Sequence, residues 1–399
     1  MSVNSATPSV SAGGAWLALG FRPFFLGAGT FGAVAMALWY RVFTLGLPLP
    51  SAGLRPITWH AHEMLFGYAL AVVAGFLLTA VRNWTGLQTT RGPALFGLFV
   101  CWLAARVLFT AGGESMLGWA GGFDLAFELL LWLAVTRPIV RTKQWANLAV
   151  SGKLLLLFAA NLLFLFGASG AVKQGLFWGL YTGLYVLLAL VFMLARRVLP
   201  FFIERGVGYP VQLRNARWID NASLVLLVIF WLADMLRPDG IVVALTACAL
   251  LALHLIRLWG WHTPGIWRKP LLWVLYLAYA ALTAGFGLKA AVYIFDISPY
   301  LAVHAFAVGG IGLMTLGMMT RVALGHTGRD LARPPASLPW LFALLALAAL
   351  VRVALPLFDV LHYRMWIALS QWLWIAAFSG FVVVYFPILT RPRVDGREG

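Results

Sequence analysis

The chain has 399 residues, of which 62% are hydrophobic and only 11% charged, and its mean hydropathy is +0.89. That excludes a soluble domain of any fold class and specifies a membrane protein. The net charge of +16 does not point to nucleic acid, because Lys and Arg lie in short loops between apolar segments and form no basic stripe or RNA-binding motif.

The apolar runs are continuous and about 20 residues long, without the alternation of a barrel strand, so the expected fold is an all-α, polytopic membrane helix bundle. Breaking the chain at Pro, Gly and charge clusters predicts twelve spans: 22–43, 57–81, 93–111, 117–137, 148–167, 173–195, 218–236, 240–258, 271–294, 299–322, 338–357 and 362–388. The opening "MSVNSATPSVSAGG" lacks the basic n-region of a signal peptide, so the first span is expected to be retained. Residues 1–16 and 391–399 are expected to be flexible tails around a transmembrane domain over 17–390.

Most of the 29 Lys and Arg fall at the N-terminus, in the even-numbered loops and at the C-terminus, which predicts that both termini are cytoplasmic. Span 2 then starts on the outer side. The longest loop, "RRVLPFFIERGVGYPVQLRNARW", separates spans 6 and 7 and allows halves 17–200 and 210–390. A short echo of "RPFF" at 22–25 in "LPFF" at 199–202 hints at a repeat. Gly175, Gly179 and Gly183 on span 6, and Gly118 and Gly122 on span 4, recur every four residues and predict close helix packing. Cys101 and Cys248 lie mid-segment; they form no disulfide framework and no C-x-x-C-H for covalent haem, and packing is their expected role.

The topology sorts the seven histidines. His60 and His62 open span 2 in "WHAHEML", His304 opens span 10 and His362 opens span 12, all on the outer side; His254, His262 and His326 fall on the cytoplasmic side. His62 and His304 each lie about five residues into their spans, roughly 8 Å below the outer boundary at 1.5 Å per residue. Two imidazoles at one depth on different helices suit a haem iron held from opposite faces. Positions two apart on a helix differ by about 200°, so His60 and His62 cannot both face one metal. His60 shares a face with Glu63 and Met64, which suits a copper site, or Glu63 orients His60 by a hydrogen bond. For each histidine alone, a hydrogen bond to headgroup, water or backbone is the bland alternative.

Arg106 on span 3 and Arg352 on span 11 are costly in a bilayer, on the order of 3 kcal/mol at its centre. Haem propionates would offset that cost, as would snorkelling or pairing with Asp124 or Glu128. Asp124 and Glu128 are four apart on span 4 and share a face expected to look into the bundle, as a proton or cation path or as a helix lock. Lys289, Asp234, Asp296 and Asp359 are expected at solvent-reachable span ends, without function.

Several segments carry a family resemblance: "GFRPFF" at 20–25, "WHAHEMLFGYALAVVAGFLLTAVRNWTG" at 59–86, "RVLPFFIERG" at 197–206 and "HAFAVGGIGLMTLGMMTRVALGHTGR" at 304–329. They resemble the NnrS family, in order, from span 1 to span 10. The resemblance implies a bacterial inner-membrane protein of about twelve helices, containing haem and copper, linked to the nitric oxide response, denitrification and protection from nitrosative stress. The matched segments retain His60, His62, Glu63, His304, Arg321 and His326.

The reading that joins residues and resemblance is a haem-b and copper protein, with the haem non-covalent, that meets nitric oxide near the periplasmic face by binding or redox chemistry. In it His62 and His304 hold the haem, Arg106 and Arg352 meet its propionates, and His60 with Glu63 and Met64 serves copper. Nitric oxide and the lipid bilayer are the partners, with no nucleic acid and an unidentified electron donor. Two other classes stay open: a transporter for a metal or small anion, and a quinol-dependent nitric oxide reductase-like enzyme.

Overall fold

Each long apolar run forms a helix whose ends follow from local chemistry. Pro56, Pro93, Pro270 and Pro299 stand in the first turns of their helices, where a missing N–H costs nothing. Gly86 ends the second helix at φ +69°, a left-handed position that a Cβ disfavours. The computed structural model describes residues 12–397.

Among the described residues there are twelve helices of 16 residues or more and no strand. They are α1 Phe21–Phe43, α2 Pro56–Thr85, α3 Gly92–Ala111, α4 Leu117–Arg141, α5 Leu148–Ala168 and α6 Gly175–Gly206. The second set is α7 Arg217–Leu236, α8 Ile241–Trp261, α9 Pro270–Phe295, α10 Pro299–His326, α11 Leu338–Val353 and α12 Tyr363–Thr390. Eleven are long and apolar enough to cross a membrane; the twelfth is α4, which carries Asp124 and Glu128. The protein is a polytopic helical bundle.

The helices pack in fours. Within each group consecutive helices touch, and the groups join through α4 against α5, α8 against α9, and α12 against α1. The second helix of each group, α2, α6 and α10, meets the other two at the centre. Of the three, α10 and α2 are the most deeply buried helices, with 83% and 72% of their apolar stretches inside the protein, whereas α6 at 50% is less buried than α1 at 67%.

Of the two predicted rows of glycines, the one on α6 makes its contacts and the one on α4 does not. Gly175 and Gly179 bring α6 against α5 so closely that a Cβ on Gly179 would stand 2.6 Å from Phe164 Cβ, and Gly183 meets Phe66 of α2. Gly118 and Gly122 of α4 meet nothing within 4 Å; the neighbouring Gly121 faces Leu165 instead.

The predicted tails lie partly outside the described residues. Ala12–Trp16 forms a short helix. At the other end, Arg22 donates to the carbonyls of Leu389 (3.0 Å) and Arg391 (2.7 Å), Arg393 donates to the carbonyl of His326 at 2.8 Å, and Val394 N–H bonds to Thr327 at 3.1 Å. The segment after α12 is therefore pinned to α1 and α10.

Candidate functional site

Helices α2 and α10 share a local device. Immediately after His62 and His304 each widens into a π-helical stretch, Glu63–Ala69 and Ala305–Gly312. A π-helical turn releases carbonyls from the regular ladder and re-aims the side chains around it. Trp102 of α3 donates to the freed region at Gly67 O (2.9 Å), and Tyr68 hydrogen-bonds Thr315 across the two central helices at 2.6 Å.

The polar residues at this end of the bundle fall into two clusters on opposite sides of α2. The first lies between α2, α3, α4 and α5. His62 is fully buried, with Nδ1 3.0 Å from Glu63 Oε1 and Nε2 3.0 Å from Asn161 Oδ1 and 3.4 Å from Asp124 Oδ2. Arg106 donates to Glu63 Oε1 at 2.8 Å and to Asp124 Oδ1. The Asn161 amide gives one hydrogen to Asp124 Oδ2 and one to Glu128 Oε1, both at 2.8 Å. Phe66, Phe109 and Phe164 wall in the His62 ring, the last stacked at 4.4 Å.

The second cluster joins α1, α2, α10, α11 and α12. His304 Nδ1–H donates to the Tyr300 carbonyl at 2.7 Å, which leaves the Nε2 lone pair free to accept from Arg352 Nη2 at 3.3 Å. His60 lies within electrostatic reach of both His304 and Arg352, and its ring stacks on Trp39 at 4.4 Å and 6°. Arg352 is buried beside Tyr363. His60 Nδ1 and Arg352 Nη1 are buried without hydrogen-bond partners, and among the described residues no carboxylate stands within ion-pair distance of Arg352.

The histidines are thus distributed otherwise than their depth alone suggested. Both ring nitrogens of His62 are engaged on the α3–α5 side, and it is His60 that approaches His304. The 200° between positions 60 and 62 requires opposite directions, and the packing of α2 decides which is which. Arg106 is spent on Glu63 and Asp124, whereas Arg352 keeps its charge unmatched. The trio His60, Glu63 and Met64 does not assemble: Glu63 turns to Arg106, and Met64 packs half-buried against the apolar core. Among the described residues no three of His, Cys, Asp and Glu are grouped to hold a metal.

Lys289 and Asp234 also depart from expectation. They form a buried ion pair of 2.7 Å between α9 and α7, joined by Tyr185 of α6, rather than meeting solvent. The three histidines expected on the cytoplasmic side have structural partners: His254 stacks on Phe192 at 4.3 Å and bonds Tyr279, His262 accepts from Trp267, and His326 lies against Phe21. His362 pairs with Asp359 in an exposed turn. Sequence reasoning passed over Asn161, Trp39 and Tyr363. A lone Asn within "LLLLFAANLLFLF" was the available signal for the first; nothing distinguishes the two aromatics among so many.

Compared with known families, residues 15–393 match the model described as NnrS protein. No curated protein matches the chain.

Proposed function

The chain belongs to the NnrS family, and from that premise we propose that it is a bacterial inner-membrane protein of the nitric oxide response whose working site is the cluster of His60, His304 and Arg352. The observation that carries this reading is a buried guanidinium, Arg352, with no carboxylate within ion-pair distance among the described residues, hydrogen-bonded to His304 of α10 and with His60 of α2 within electrostatic reach. The donor set fits a non-covalent haem. His304, oriented through Nδ1 by a backbone carbonyl, would hold the iron through Nε2 once Arg352 Nη2, which stands 3.3 Å from that atom, turns to the haem. His60, from α2, supplies the second imidazole, with Trp39 holding its ring plane. Arg352 would take a propionate through charge-assisted hydrogen bonds. A haem bound here would supply a redox-active iron with high affinity for nitric oxide in the ferrous state. The chain's own contribution is to hold the rings, match the anionic edge and exclude water. Copper finds no comparable set at His60, Glu63 and Met64, whose side chains diverge.

The test is the visible spectrum of the protein purified after expression with adequate haem. A Soret band is expected, lost in His60→Ala and His304→Ala and retained in His62→Ala. A band that survives both of the first two substitutions overturns the assignment.

A further inference from the structure

Four of the six polar residues in the first cluster are ionisable without being histidine, and their charges do not balance. Glu63, Asp124 and Glu128 are three carboxyl groups at 0%, 0% and 3% exposure, and Arg106 at 2% is the guanidinium among them. Arg106 bonds Glu63 through one nitrogen and Asp124 through another. Glu128 is left with no cation in contact. Its Oε1 accepts from Asn161, and its Oε2 is buried without any partner; Glu63 Oε2 is likewise unpartnered, but the other Glu63 oxygen is held by Arg106, a contact Glu128 lacks. An ionised carboxylate is an acceptor at both oxygens and is strongly disfavoured where one of them meets no donor and a second carboxylate, Asp124, sits one turn away on the same helix.

We propose that this cluster is a proton-binding site inside the membrane domain, and that Glu128 is the group that holds the proton, as an O–H at Oε2. The groups facing it are Asp124 from its own helix, Arg106 from α3, Asn161 from α5, and His62 and Glu63 from α2. With the proton on Glu128, the two remaining carboxylates are the two that Arg106 holds. Asn161 then has a fixed role: its amide hydrogens go to Asp124 and Glu128, and its carbonyl oxygen faces His62, so it links the neutral acid to the charged part of the cluster. The site needs no metal and stands independently of the proposed haem.

The experiment is infrared spectroscopy of the full-length purified protein in H2O and D2O. The expected result is a carbonyl stretch of a protonated carboxylic acid above the amide band, shifted down in D2O and absent in Glu128→Gln. Thermal unfolding in detergent provides a second measurement. Glu128→Gln, which keeps the shape of the neutral acid, is expected to unfold at the parent's temperature, and Asp124→Asn well below it. Absence of the band in the parent, its persistence in Glu128→Gln, or equal destabilisation by the two substitutions would overturn the proposal.

Discussion

Arg106 is the residue on which the first cluster turns. Its guanidinium joins Glu63 of α2 to Asp124 of α4, both fully buried. Replacing it by Leu strands both carboxylates, and loss of one partner from a buried pair costs about 3–5 kcal/mol. Thermal denaturation of Arg106→Leu in detergent should show that loss; an unchanged unfolding temperature would mean that the pair is not formed. Gly67 is the second sensitive position, because a Cβ there would stand 2.5 Å from Arg106 Nη1, whose place is set by its two carboxylates. Gly67→Ala should cost about 1–3 kcal/mol by overpacking, measurable in the same assay. At this scale the sequence displayed the polar residues, since His, Glu and Arg are conspicuous in apolar runs. It did not display their directions, which depend on how α2 is rotated against five neighbours.

At the scale of the element, the π-helical stretches of α2 and α10 begin after His62 and His304 and leave the depth count to the histidines intact; what that count lacked was the rotation of α2, which decides whether position 60 or 62 turns toward α10. A regular helix advances by a constant angle per residue; a π-helical turn shifts the phase of everything beyond it. The two helices also share a spacing: Gly67 with Gly309, Gly75 with Gly317, and Thr85-Gly86 with Thr327-Gly328 stand at the same distances after His62 and His304. Between α7 and α9, Asp234 and Lys289 form a link whose strength is testable by a double-mutant cycle. Lys289→Met alone leaves a buried carboxylate uncompensated and should destabilise by about 3–5 kcal/mol, whereas Lys289→Met with Asp234→Asn should recover most of the loss. Additive losses in the cycle would show that the two residues do not interact. This pair was assigned to solvent from sequence because both residues lie near the ends of apolar runs, where exposure is the usual outcome.

For the whole molecule, the grouping of helices in fours places α2, α6 and α10 at the centre and creates three compartments around them. One holds Arg106 with its carboxylates, one holds Asp234 with Lys289, and one holds Arg352 with His60 and His304. A buried cation without an anion occurs in the last, which is why that compartment is the one proposed to take an anionic cofactor. The charge bias of the loops predicts that both termini face the cytoplasm. Cysteine substitutions at Asp296 and near the C-terminus should be labelled by an impermeant thiol reagent from opposite sides of the membrane; labelling from the same side would reverse or break this topology.

By itself the sequence determined that the chain is a helical membrane protein, where its twelve helices run, and that His60, His62 and His304 open helices while Arg106, Asp124, Glu128 and Arg352 lie within others, because hydropathy and helix-ending residues are local properties. Only the tertiary structure decided that His60 rather than His62 approaches His304, that Asn161 joins the carboxylates, and that Arg106 is matched while Arg352 is not. Those outcomes rest on helix rotation and on contacts between different helices, from 18 positions apart for Arg106 and Asp124 to 99 for His62 and Asn161, which no local pattern encodes.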